Sequence, residues 1–360
     1  MSLRSGLAAQ WTSPVAETTY GVAPSLAAAK FTAMKNDSLE LKKTTVQGIG
    51  LFQGKLYPQA VRRVITGWAA GGALPMDLPA RGLQQWLLPM FGSYGQTLSA
   101  LTQDAATGAY KAVHAPGPLE GNSFALQKGV PSADNGTIEP FTYVGAKIPD
   151  WELTVQKGEI AQLSLTVAAR NELAGSGNSD PLNGSVPALQ AYVAPASGAV
   201  FTFLEGTLFT GGTVSTTSGL TTVASPVVAG SIRSASIKHT VPLDMERYFL
   251  GKAGFIDEPL QNALRSVTGQ FVIDWLSSEQ RYNAFVADTP TPLQLTFLGP
   301  PIGTGSDFST LSILISDTFL DGESPKAGGP EVITQTVPFV GLDDGTNNVI
   351  QATYWTLDSA

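Results

Sequence analysis

The side chains able to do acid–base or nucleophilic chemistry near neutral pH are few and scattered. The two histidines, His114 and His239, stand far apart in the chain. A general base needs a partner that orients it, and no carboxylate flanks either histidine in a recognisable pattern. Both are therefore expected on the surface, without a catalytic part. With no cysteine there is no thiolate nucleophile, disulfide, cysteine zinc site or iron–sulfur cluster. No Gly-x-Ser-x-Gly elbow occurs. Glu152, Glu159, Asp244 and Glu246 could be paired on paper as glycosidase carboxylates, but any acidic β protein permits that exercise. Gly54-Lys55 and Gly251-Lys252 lack the upstream glycine spacing and the Ser/Thr of a phosphate loop, and Gly48-Ile-Gly50-Leu-Phe-Gln53 breaks the dinucleotide pattern. Asp343-Asp-Gly-Thr-Asn-Asn348 clusters oxygen ligands but lacks the order and the distant Glu of a calcium loop, and reads as a turn. The expectation is no enzyme, no cofactor and no bound metal.

Composition narrows the function classes further. The chain has 360 residues and 43% apolar side chains, enough to bury a core without staples. Its net charge is −8, with no Lys/Arg-rich block, which argues against gripping nucleic acid through phosphate contacts. Charged residues make up 14%, against roughly 25% in an average soluble domain. A charge-poor surface of this kind is accounted for by subunit interfaces. No apolar run is long enough to cross a membrane, and Met1–Trp11 is not a leader, so a soluble protein made in the cytoplasm is expected.

The elements that would have to position any site are mostly strands. Residues 1–36, with Pro14, Gly21 and Pro24, read as an N-terminal arm, and 37–360 as one domain. Leu39 and Leu41 alternate with polar neighbours, and Val64–Trp68 resumes β-propensity, so 37–78 is predicted to be a long hairpin. Its tip, at 47–63, carries Ile49, Leu51, Phe52, Leu56 and Tyr57 with Arg62 and Arg63. Leu83, Trp86, Leu87 and Met90 fall at helical spacing before Gly92, and core packing accounts for that stripe. Trp151, Leu153 and Val155, a turn at Gln156–Glu159, then Leu163, Leu165 and Val167 predict a hairpin over 141–170. Further strands are expected near 200–210, 232–241, 267–275, 293–298, 311–316, 332–339 and 349–356, with a second short helix at 277–286. Turn-forming residues mark loop insertions near 95–120 and 171–200. The predicted class is mainly β: one or two antiparallel sheets with a flanking α-helix and a long hairpin loop.

Four stretches together resemble the major tail tube protein of long-tailed, non-contractile bacteriophages. They are Thr19-Tyr-Gly-Val22 followed by the 37–78 hairpin, Phe141–Ile148 with Trp151–Gly158, Val267–Ile273 leading into Arg281–Phe285, and Val337–Gly345 with the closing strand. The resemblance implies an antiparallel β-sandwich with a flanking α-helix, in a structural virion protein that self-assembles into stacked hexameric rings and forms the tube through which DNA is ejected. It implies as partners further copies of the chain and the tail tip, tape-measure and terminator proteins, with DNA passing through without specific binding, no membrane, and a place in the virion tail after synthesis in the host cytoplasm. An acidic bore agrees with this, because it repels phosphates. Ile49, Leu51, Phe52, Leu56, Tyr57, Arg62 and Arg63 are then the candidate ring-stacking interface. The same tip folded back on its own subunit is the alternative. A different function class, a β-sandwich adhesin or carbohydrate-binding tail module, would use the six tryptophans and nine tyrosines to stack on sugars.

Overall fold

The computed structural model describes residues 5–92, 102–103, 108–133, 136–174, 186–194, 198–275, 285–302, 307–322, 324–325 and 329–357. Strands β1 (Gln10–Trp11), β2 (Val15–Ala16), β3 (Glu40–Gln47) and β4 (Arg63–Asp77) precede the helix α1 (Gln84–Phe91). Then come β5 (Thr102–Gln103), β6 (Tyr110–His114), β7 (Phe124–Pro131), β8 (Ile138–Gln156), β9 (Gln162–Ala169) and β10 (Asn171–Ala174). The second half supplies β11 (Gly206–Thr210), β12 (Thr213–Thr217), β13 (Leu220–Ala224), β14 (Val227–Val228), β15 (Ile232–Thr240) and β16 (Ser266–Asp274). It ends with β17 (Thr291–Pro301), β18 (Phe308–Leu320), β19 (Thr334–Leu342) and β20 (Ile350–Thr356).

Period-2 alternation builds these strands. Trp151, Leu153 and Val155 of β8 point inward while Glu152, Thr154 and Gln156 point out, and on β9 Leu163, Leu165 and Val167 are buried while Ser164 and Thr166 are exposed. A slip of one residue would turn both apolar rows to solvent, so burial fixes the register at Leu153↔Leu163 and Trp151↔Leu165. Antiparallel pairing gives one sheet in the order β3-β4-β9-β8-β15-β16-β19. A second runs β14-β11-β17-β18-β20-β6-β5. Strand β18 joins them: Thr310–Ile315 lie between β17 and β20, and Asp317–Leu320 pair with β19. The two sheets pack their apolar faces into one core, with Trp151, Leu165 and Phe271 from the first and Phe297, Ile313 and Tyr354 from the second. This is the mainly β fold that the alternation predicts, arranged as the sandwich that the family resemblance implies.

The helix forms where the spacing places it. Leu83, Trp86, Leu87 and Met90 are buried, and Gly92 ends it in a left-handed conformation (φ 68°), its N–H donating to Leu88 O. Trp151 Nε1 donates to Met90 O, which ties the last turn to the sheet. Truncating Trp151 to alanine would cost about 3–5 kcal/mol.

Three segments depart from a loop or surface reading. Residues 10–16 lie along β7, with Gln10↔Gly129 and Val15↔Ala125 as partners, and Trp86 Nε1 donates to Thr32 Oγ1, so the N-terminal arm is laid against the body. Within the 95–120 insertion, β6 pairs with β20; within 171–200, β10 pairs with the first half of β8. The two histidines correct the surface expectation, since both are buried. His239 is in phase with the inward Ala235 and Ile237 on β15, and His114 with the inward Ala112 on β6, so strand alternation carries both rings into the core. There Phe91 stacks on His239 at 6.3 Å and Trp151 lies 5.7 Å from it, while His114 Nε2 meets Gln84 Oε1 at 3.0 Å. Most of the second predicted helix and much of the Gly/Ser/Asn-rich part of the 171–200 insertion lie outside the described residues.

Burial lowers the pKa of His114 and His239 from 6.5 to about 4. The unfolded chain then binds more protons between these values, so the histidines withdraw stability as pH falls from 6.5 to 4. Glu17 acts with the opposite sign: burial raises its carboxyl from 4.5 to about 7, so stability is gained as pH falls through that window. Two histidines outweigh one carboxyl. The urea midpoint of the subunit is predicted to drop between pH 6.5 and pH 4, and a midpoint that rises over the same interval would contradict the buried, neutral state of both rings.

Candidate assembly surface

The candidate residues sit on the β3–β4 ribbon and its tip. Below Ala70, β4 has β9 on its other side, pairing from Ala70↔Ala169 to Asp77↔Gln162. Above Ala70 its only strand partner among the described residues is β3, from Leu41↔Ala70 to Gln47↔Arg63. A brace from the β15–β16 connection meets the ribbon at Trp68. Trp68 N donates to Gly254 O at 2.9 Å, the indole stacks on Phe255 at 6.2 Å, and Tyr248 OH donates to Trp68 O at 2.9 Å. Gly254 reaches this close because it has no side chain: at φ +78°, a Cβ would stand 3.3 Å from Gly67 Cα. From Trp68 to Arg63 the ribbon runs on for roughly 17 Å at about 3.3–3.4 Å per residue.

That overhang carries apolar side chains on both faces. Val64 and Ile65, on opposite faces by strand alternation, are each about half exposed, and Val46 pairs with Val64. At the neck Gln47 Nε2 donates to Gly48 O and Gln59 O, and Gly48 N donates to Arg62 O. In the tip Leu51 and Leu56 are 101% and 93% exposed, and Ile49, Tyr57 and Val61 are nearly as bare. Phe52 is partly covered: the Arg62 guanidinium lies 4.4 Å from its ring centre, a contact worth about 0.5–1 kcal/mol at an exposed site. Gly50 makes room for that arginine, since a Cβ there would fall 1.9 Å from Arg62 Nη1. Arg63 opens β4 in solvent. The structure thus brings Phe52 and Arg62 into contact and leaves Ile49, Leu51, Leu56, Tyr57 and Arg63 exposed.

Residue typing in the tip missed Val46, Val61, Val64 and Ile65, although the signal was present: Val64-Ile65 breaks the polar alternation of a half-buried strand. Charge is also segregated. Residues 41–76 contain Lys42, Lys43, Lys55, Arg62 and Arg63 and no acid, in a chain whose net charge is −8. Two of the tryptophans that an adhesin would offer to sugars, Trp86 and Trp151, are inside the core.

These features define a class: an antiparallel β-sandwich subunit carrying a projecting, cationic and apolar hairpin. Comparison with known families makes it particular. The family model described as phage tail tube protein matches residues 14–341, and the chain belongs to that family. Its role is accordingly structural, in the virion tail. No individually curated protein matches the sequence.

The brace makes a prediction about the free subunit. Phe255→Ala empties the buried site under Trp68, at a cost of about 3 kcal/mol, and trypsin should then cut after Lys55, Arg62 and Arg63 several-fold faster. Unchanged cleavage, measured by mass spectrometry of the fragments, would mean that the ribbon stands without Phe255.

Proposed function

We propose that the chain self-assembles into hexameric rings that stack into the tail tube, and that the genome leaves through the bore. The observation that carries this reading is the hairpin overhang. A two-stranded ribbon free on both faces is marginally stable in water, and several of its side chains are large, apolar and bare. A second protein surface would supply the missing cover. In this reading Ile49, Leu51, Leu56 and Tyr57 enter the contact, Arg62 holds Phe52 in place, and Arg63 sits at the rim. Six copies of an acidic subunit surround a bore that repels phosphate, so DNA moves through with weak contact. The tail tip starts assembly, and the tape-measure and terminator proteins set and close its length.

Negative-stain microscopy of the purified, concentrated protein is predicted to show hollow rods or six-fold rings. Deleting 48–60 should leave a subunit with an unchanged melting curve and no rods. Rods of ordinary form from the deleted chain would refute the loop assignment. A wild-type chain that stays monomeric at high concentration, and also with tail tips present, would refute the tube itself.

A further inference from the structure

We propose that the hairpin tip of one subunit docks on a second copy at the opposite end of the same sheet, on a rim made by Ile160, Leu204 and Val332. The proposal rests on the tube reading and names the surface that receives the tip.

Strand register places the two surfaces at opposite ends. The tip lies beyond Gln47↔Arg63. Far down the ribbon, Asp77 pairs with Gln162, Gln162 with Thr154, Gln156 with Ser234, and Asp274 with Thr334. These pairs mark the other end of the sheet, where the β8–β9 turn exposes Ile160. Ile160 forms a bridge with Thr202, and Phe203 N donates to Glu159 O at 3.0 Å, which sets the 203–205 turn beside it and leaves Leu204 91% exposed. Lys157 N donates to Arg233 O, and Trp275 N to Ile333 O, so backbone bonds carry the rim across β15 and β16 to Val332, 66% exposed.

Chemistry matches across the ends. Both surfaces present exposed aliphatic side chains, although on the rim Ile160 is 38% exposed and Leu204 and Val332 carry most of the open area. The tip adds Lys55, Arg62 and Arg63 with no acid in 41–76, whereas the rim mixes signs with an acidic excess: Glu159 and Glu331 are exposed beside Lys157, and Arg233 is paired with Asp274. Two complementary patches at opposite ends of one molecule make a heterologous, head-to-tail contact, which does not close on a pair and extends along an axis. The occupant that fits the rim is therefore the tip of another copy.

The absence of native cysteine makes the test clean, because any introduced thiol is unique. Subunits carrying Leu51→Cys are mixed with subunits carrying Leu204→Cys under assembly conditions and oxidised with diamide. The mixed disulfide dimer should form at least tenfold faster than a dimer of either variant alone. Leu51→Cys subunits joining to each other as readily would overturn the proposal in favour of a tip-to-tip contact. In parallel, Leu204→Asp is expected to abolish rods while leaving the melting temperature unchanged. Rods that form normally from Leu204→Asp, or wild-type-like rods without the mixed disulfide, would overturn the rim and leave the tube standing. A wild-type chain that yields neither rods nor rings would overturn both.

Discussion

The fold depends on one strand changing sheets. Strand β8 runs with β7 and β10 over its first half and with β9 and β15 over its second, and the switch falls between Gly145 and Asp150, where the pairing with β9 shifts register between Lys147 and Asp150. Gly145 takes a left-handed φ of 63°, and a Cβ there would lie 2.7 Å from Arg170 Cβ. Buried ionisable groups hold the bend from both directions. Lys147, with its side chain fully enclosed, donates to Leu119 O, Glu258 Oε1 and Pro259 O, one acceptor for each ammonium proton. Desolvation pulls its pKa down and the Glu258 carboxylate pulls it back up. From the arm, Glu17 accepts Gly145 N, Gly21 N and Ser123 Oγ. Breaking either set would leave a buried ionisable group without partners, which is costlier than never having placed it there.

The same bend connects core to hairpin. Arg170, which follows β9, lies over Tyr20 at 6.0 Å and over Phe255 at 5.6 Å, and Phe255 is the ring stacked under Trp68. Arm, bend and brace are thus one contiguous set of contacts ending at the last supported residue of the ribbon. Beyond that residue the ribbon's apolar faces are uncovered, and the cations on it stand apart from the acids of the body.

Much of this was legible in residue order, and the misses have a common cause. Trp151, Leu153 and Val155, like Leu163, Leu165 and Val167, announce a buried face because each row is self-consistent over several residues. Leu83, Trp86, Leu87 and Met90 do the same at helical spacing, and the bareness of the tip follows from apolar residues spread among glycines. His239 was misread because its residue type was weighed above its phase with Ala235 and Ile237. The docking of the arm was not legible because Glu17, Thr32 and Gln10 act through partners more than a hundred or about fifty positions away, which single-sequence periodicity does not show. Strand β6 hides in a Gly- and Ala-rich stretch for the same reason: its partner is the last strand of the chain.

That pairing sets a clock. The closing strand, Ile350–Thr356, lies between β18 and β6, which was made some 240 residues earlier. On the ribosome the second sheet therefore stays open until residues 350–356 have been synthesised, and contacts of such sequence separation form slowly. The Lys42–Arg63 hairpin emerges early and can pair within itself, while its sandwich waits for the final strand. Synthesis of the Ile350–Thr356 strand, rather than emergence of the hairpin, is thus the step after which the sandwich can close.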